Sequence, residues 1–196
     1  MKKEINALPL LTLNSGIAYD APCPDNATVA EDDHAFKVMT DFTEIVPLTI
    51  EPEQGLFQAL ERMKEHGIRL LMVTDKQNNV SGIITAYDIQ SEMPTKYTAK
   101  TGVPMHDITI GMLMTPLEKT PALGFNSLQQ ASAGQVAKTM EELDRPHILV
   151  IEENNGQRIR GIFSSSKVSR LLGHPVYRPL HAAHSLADLQ RGIDSP

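Results

Sequence analysis

Hydrophobic and polar positions follow the clearest pattern along residues 70–90, where two apolar runs flank a polar turn. Residues 70–73 are a continuous apolar run of strand length, and residues 75–79 are turn formers. Residues 80–84 are a second run rich in β-branched side chains, interrupted by Gly82. This order predicts a β-hairpin.

A polar motif follows the hairpin directly. Thr85 and Asp88 lie three residues apart, where the second strand gives way to a short helix that we expect Pro94 to end. The motif suits a nucleotide, because a carboxylate can accept two hydrogen bonds from a ribose diol and a helix N-terminus favours phosphate. Gly82 would allow close backbone approach. The alternative is that Thr85 and Asp88 only cap the helix, which contributes about 1 kcal/mol.

The same pattern occurs twice in the chain. The repeated positions are Met39-Thr40 and Met114-Thr115, residues 71–73 and 148–150, and residues 82–83 and 161–162. Each copy is predicted to run strand, helix, strand, strand, helix. In the second copy, Ser127 and Gln130 predict a capping box at the helix start, and Asn155-Gly156 predicts the hairpin turn.

This duplication sets the predicted domain organisation. We expect a partly disordered arm at residues 1–35, a first repeat at 36–93, a connector at 94–107, a second repeat at 108–174 and a tail at 175–196. One copy would bury too little surface to be stable alone. The predicted fold class is therefore α/β (α+β), with two repeats packed sheet to sheet in pseudo-twofold symmetry and a ligand cleft between the sheets.

Composition argues against several classes of function. The chain has 196 residues and a net charge of −6, and its basic residues do not cluster, which argues against a nucleic-acid surface. No apolar run approaches the length of a membrane helix. The single Cys23 fits a reducing compartment, so a cytoplasmic location is expected. No metal site is expected, because His174, His181 and His184 lack Cys or acidic neighbours at ligand spacing.

The duplicated unit resembles a pair of cystathionine β-synthase (CBS) domains, also called a Bateman module, over residues 36–173. The resemblance rests on Gly-Ile-Ile-Thr-Ala-Tyr-Asp at residues 82–88 and on Gly-Ile-Phe-Ser at residues 161–164. It implies that AMP, ADP, ATP or S-adenosylmethionine binds between the repeats, with Asp88 on the ribose hydroxyls. Lys167 departs from the family pattern, because it stands where the second copy should carry the corresponding Asp.

The candidate ligand-binding residues are Gly82, Thr85, Tyr87, Asp88, Arg145, His147, Ser164 and Lys167. The resemblance implies that Thr85 or Ser164 reaches ribose or phosphate. It also implies that His147 faces the cleft, where Arg145 could meet a phosphate or remain a solvated edge charge. The family is regulatory, and the sequence has no P-loop or other catalytic motif. We therefore expect a non-catalytic protein that binds an adenosine compound and signals to an unknown effector. The alternative is a structural or dimerisation adaptor.

Two further expectations concern binding strength and assembly. The site around Asp88 is expected to bind more tightly than the site around Lys167, because an ammonium cannot accept hydrogen bonds from a ribose diol. Lys167 could instead meet a phosphate or block its pocket. A homodimer is expected because the helices after the hairpins would expose apolar residues. Those residues are Ile89, Met93, Val168, Leu171 and Leu172.

Overall fold

The computed structural model describes residues 28–154 and 156–177, which form two β-sheets with helices around them. The strands are β1 Thr40–Asp41, β2 Thr49–Ile50, β3 Leu70–Thr74, β4 Val80–Thr85, β5 Thr115–Pro116, β6 Ala122–Gly124, β7 His147–Glu152 and β8 Arg158–Ser164. The α-helices are α1 Leu56–Glu65, α2 Ala86–Gln90, α3 Met93–Thr101, α4 Ile110–Leu113, α5 Ala133–Leu143 and α6 Ser165–Leu172. Short 3-10 helices lie at Ala35–Lys37, Met105–Asp107, Leu117–Lys119 and Phe125–Gln130. Within these residues, no helix is long and apolar enough to cross a membrane.

The first sheet, with strand order β2-β3-β4-β5, contains the predicted hairpin. Strands β3 and β4 pair antiparallel, with Leu70 opposite Thr85. The turn between them is stabilised by the Asp75 carboxylate, which accepts hydrogen bonds from the backbone N–H groups of Gln77 and Asn79 at 2.9 and 2.8 Å. Helices α1, α2 and α4 cover this sheet and bury a core that includes Ile50, Ala59, Met63, Leu71, Val73, Ile84, Ile89 and Ile110. We call this sheet and its helices the first lobe.

The second sheet repeats this plan, with strand order β1-β8-β7-β6. Strands β7 and β8 form its antiparallel hairpin, and β6 runs parallel to β7 as β2 does to β3. Helices α5 and α6 bury its core, which includes Val136, Met140, Ile148, Val150, Phe163 and Val168. We call this unit the second lobe. The duplication expected from the sequence is therefore present in the fold.

Each lobe completes its sheet with a strand that precedes the other repeat. Strand β5 pairs with β4, and β1 pairs with β8. Glycine allows both contacts: a Cβ at Gly161 would lie 2.5 Å from the Thr40 carbonyl oxygen, and one at Gly82 would overlap the Thr115 carbonyl oxygen. The close backbone approach expected at Gly82 is thus made by β5, and a role of Gly82 in ligand binding stays a prediction.

Apolar residues of the two sheets meet between the lobes. Met72 of β3, Leu149 of β7 and Ile162 of β8 form a separate buried cluster, with Phe42, Leu70 and Leu117 packed against it. The expected sheet-to-sheet packing is thus confirmed.

Several predicted boundaries differ from the observed ones. Residues 94–107, expected to be a connector, include most of α3, whose Tyr97 packs against the first core. Pro94 does not end α2, which stops at Gln90; it lies in the first turn of α3, where its missing N–H costs nothing. Strand β2 is short, because Pro47 just before it has no N–H to donate to a neighbouring strand.

The start of the second helix was also predicted wrongly. Ser127 lies in a 3-10 helix, where its Oγ donates to the Gly124 carbonyl at 2.6 Å. Helix α5 instead begins at a capping box formed by Ser132 and Gln135. The predicted turn at Asn155 lies outside the described residues.

The described part of the expected arm packs on the second lobe. The Val29 N–H donates to the Leu171 carbonyl at 2.7 Å, and Ala35 is fully buried. His181 and His184 lie outside the described residues, as do the rest of the arm and most of the tail.

The apolar helix face expected to drive dimerisation is largely covered within the protein. Ile89 and Val168 are buried, and Leu171 and Leu172 pack against the second core, whereas Met93 is exposed. The stated reason for a homodimer is therefore removed.

Candidate functional site

A cavity of about 590 Å³ lies between the two lobes, within the size range usual for ligand pockets. Residues 45–48, which precede β2, and residues 66–70, which lead into β3, form its wall on the first lobe. Strand β1 and the first turns of α6 form the opposite wall. We call this space the interlobe cavity.

The interlobe cavity has an apolar part and a cationic part. Its apolar lining includes Phe42, Ile45, Leu48, Ile68, Met72 and Ile162, and its polar lining includes Arg69, His147, Ser164, Ser166, Lys167 and Arg170. Within residues 28–154 and 156–177, no Asp or Glu lines it. Such a surface favours a ligand with an apolar body and a negatively charged group.

Lys167 is positioned by the start of α6. The Ser164 hydroxyl caps this helix by accepting from the Lys167 backbone N–H at 3.4 Å. The half-buried Lys167 side chain extends to β1, where Nζ donates to the Met39 carbonyl at 2.6 Å and to Thr40 Oγ1 at 3.3 Å. Burial and, secondarily, the charge of Arg170 lower the Lys167 pKa. Lys167 thus forms part of the cavity wall.

Arg69 lies across from Lys167, on the segment that leads into β3. Its Nη1 donates to Ser166 Oγ at 3.4 Å, which places the guanidinium against the first turn of α6. Arg69 also lines a second cavity of about 220 Å³. The two cavities share Arg69, His147 and Ser166. The smaller space is also lined by Thr85, Tyr87, Pro146, Ser165, Ser169 and Tyr177.

His147 lies at the first position of β7, between the two cavities. Burial, followed by the charge of Arg69, lowers its pKa to about 4, so the imidazole is neutral at pH 7. Its Nδ1 is buried and has no hydrogen-bond partner among the described residues. The expectation that His147 faces the cleft agrees with its place in both cavity linings.

Asp88 makes its observed contacts within its own helix cap. Its Oδ2 accepts from the Thr85 N–H at 2.9 Å and from Thr85 Oγ1 at 2.6 Å, and Thr85 Oγ1 accepts from the Asp88 N–H at 3.1 Å. Neither Asp88 nor the exposed Arg145 is among the lining residues of either cavity. The geometry therefore gives no support to tighter binding at Asp88, and the order of affinities stays a prediction.

The structure adds Arg69 and Arg170 to the candidate site, neither of which the sequence reasoning selected. Arg170 lies one turn after Lys167 on the same helix, so the two side chains are neighbours on its surface. That spacing could have identified Arg170 from the sequence. Arg69 directly precedes the inner strand of the first copy, as Pro146 does in the second. Comparing the two copies at that position would have identified it.

Comparison with known proteins agrees with this architecture. Residues 37–94 match the model of the CBS domain. That segment, which includes strands β1 to β4, is a CBS domain. No curated protein matches the chain.

Among solved structures, a CBS-domain containing protein of Agrobacterium tumefaciens is similar to this chain in fold. It is 21% identical with a TM-score of 0.50, over 78% of this chain and 98% of its own. An uncharacterized conserved protein of Pyrococcus horikoshii is 23% identical with a TM-score of 0.49, over 85% and 96% of the two chains. CBSX2, a CBS-pair protein of Arabidopsis thaliana solved in complex with AMP, is 20% identical with a TM-score of 0.49, over 70% and 94%.

Proposed function

We propose that the protein is a regulatory CBS protein that binds an adenosine compound in the interlobe cavity and signals its presence to an effector protein. The observation that carries the proposal is the cavity itself: about 590 Å³, with apolar walls, cations from both lobes and no carboxylate among the described residues that line it. The apolar walls suit a purine, and the cations suit phosphate groups. AMP, ADP, ATP and S-adenosylmethionine are the candidate ligands.

Binding in this cavity would connect the two lobes. Residues 66–70 belong to the first lobe, whereas β1 and α6 belong to the second, so one ligand would contact both. A ligand can shift a conformational equilibrium only by its differential affinity for the two states. A cavity with walls from both lobes provides that difference whenever the lobes move relative to each other. This is the basis for proposing a regulatory role without turnover.

An effector contact is also proposed at the rim of the cavity. Val46 lines the cavity and is 85% exposed, and Ile45 beside it is 53% exposed. Large apolar side chains with that exposure are common at protein contact sites. They also favour the alternative function, a structural or dimerisation adaptor. For the site of action we keep the cytoplasm as a proposal, based on the single cysteine.

Calorimetry and thermal unfolding with AMP, ADP, ATP and S-adenosylmethionine test the proposal, with GMP and GTP as controls for the base. A ligand at a hundredfold its dissociation constant stabilises by about 2.7 kcal/mol, which raises Tm by about 5–10 °C in a protein of this size. At least one adenosine compound should give such a shift. If all of them give only heats of dilution and no change in Tm, the adaptor function replaces the proposal.

A further inference from the structure

Lys167 places a positive charge where the family motif would place a ribose-binding carboxylate. We propose that the interlobe cavity selects phosphorylated, anionic adenosine compounds over S-adenosylmethionine, whose sulfonium is a cation, and that Lys167 determines this selectivity. The inference rests on the proposed function, because it names the ligand class of that same cavity.

The first support is the sign of the charges around the cavity. Arg69, Lys167 and Arg170 line it, and none of the lining residues in the described part of the chain is acidic. Glu44 acts on Lys167 through its charge, yet it is exposed and is not among the lining residues. A sulfonium in the cavity would meet like charges, whereas a phosphate would meet opposite ones.

The second support is the burial of Lys167 from solvent. Arg69 and Arg170 are exposed, so solvent and salt screen their charges, but Lys167 is half-buried. An ammonium has three N–H donors, and two partners, Met39 O and Thr40 Oγ1, are observed. The third donor has no acceptor among the residues that the structure describes, so it can serve a ligand oxygen. Lys167 thus combines the least screened charge with a fixed position.

The third support is the convergence of positive potential at the start of α6. The Arg69 guanidinium contacts Ser166, the residue next to Lys167, and the N-terminal end of a helix carries a partial positive charge. In the first repeat, the residue at the matching helix position is Asp88, whose carboxylate closes the capping box of α2. A lysine cannot accept those hydrogen bonds, and its side chain extends to β1 instead.

Calorimetry with four ligands tests the selectivity: ATP, AMP, S-adenosylmethionine and S-adenosylhomocysteine. The last two differ mainly in the sulfonium charge, so their comparison isolates it. We expect ATP to bind at least tenfold more tightly than S-adenosylmethionine, and the neutral thioether to bind more tightly than the sulfonium. Lys167→Met should weaken ATP binding by about tenfold to a hundredfold and reduce the ratio of ATP to S-adenosylmethionine affinity. Lys138→Met, on the exposed face of α5, is the matched control and should leave that ratio unchanged.

The ratio of affinities within one variant does not depend on the fraction of protein that is folded, so partial unfolding of Lys167→Met would not hide the effect. Equal binding of ATP and S-adenosylmethionine by the wild type, or a ratio unchanged in Lys167→Met, would overturn the inference and leave adenosine binding intact. If no adenosine compound binds, the proposed function fails. Binding of inorganic triphosphate to the wild type but not to Lys167→Met would then still support an anion-selective cavity.

Discussion

A single methyl group added at Gly161 should disturb both the stability of the protein and its interlobe cavity. In Gly161→Ala, the new Cβ would lie 2.5 Å from the Thr40 carbonyl oxygen and 3.3 Å from Met39 Sδ. The Thr40 carbonyl belongs to the backbone and cannot rotate away as a side chain could. Strand β1 must therefore move away from β8. Since Lys167 donates to Met39 and Thr40, the cavity wall would move with β1.

The expected cost follows from the size of the overlap. Overpacking a well-filled site typically costs about 1–3 kcal/mol. In a protein of this length, each kcal/mol lowers Tm by about 2–4 °C. Displacement of β1 should also weaken binding in the interlobe cavity, because Thr40 lines it.

Urea unfolding and calorimetry on the same preparations measure the two effects. Gly124→Ala is the matched control: it adds the same methyl group at a strand end, where the nearest atom, Ser127 Oγ, is 3.8 Å away, and its φ of −71° suits alanine. The free energy of unfolding of Gly124→Ala should equal that of the wild type or exceed it by up to about 1 kcal/mol. Equal stability of Gly161→Ala and Gly124→Ala would show that β1 does not depend on the glycine.

Three other changes test individual contacts. Asp41→Asn should lower the free energy of unfolding by about 1–3 kcal/mol, because Arg160 donates to both Asp41 carboxylate oxygens at 2.9 and 2.8 Å. Arg160 holds the Asp41 pKa far below its usual 3.8. In urea unfolding, the difference in stability between wild type and Asp41→Asn should therefore be full above about pH 4 and shrink on further acidification. A difference that does not change with pH would contradict this. His147→Leu should gain stability relative to wild type as the pH falls from 6.5 towards 4, because unfolded histidine takes up a proton before the buried one; parallel pH profiles would refute it. Ser132→Ala should cost about 1 kcal/mol in thermal unfolding, since its hydroxyl caps α5, and an unchanged Tm would count against that cap.

The sequence was most informative where a local pattern repeats. The hairpin of β3 and β4 follows directly from two apolar runs around a turn, and its recurrence in β7 and β8 identifies the two-lobe fold. The CBS-type motif of residues 82–88 was also recognisable from the sequence. These features depend on side chains close together in the sequence, which is why patterns could predict them.

The location of the cavity depends on contacts that no local pattern records. Strands β1 and β5 are two residues long, too short for a period, so their exchange between the lobes was not predictable. Asp88 fits a helix cap and a ribose site equally well in sequence, and only its three hydrogen bonds with Thr85 show that it forms the cap. Arg69 is 97 residues away from its hydrogen-bond partner Ser166 in the sequence, and only the fold brings the two together.

The exchange of β1 and β5 has a consequence for how the molecule comes apart. Neither repeat, cut out by its sequence boundaries, would keep four strands in its sheet, because each would lose the strand supplied from ahead of the other repeat. Native-state hydrogen exchange should therefore protect both hairpins with the same free energy, and separately expressed halves should regain structure only when mixed. After a gene duplication, the exchange of one short strand in each direction is enough to make the two repeats depend on each other. Neither repeat can then be lost without destabilising the other.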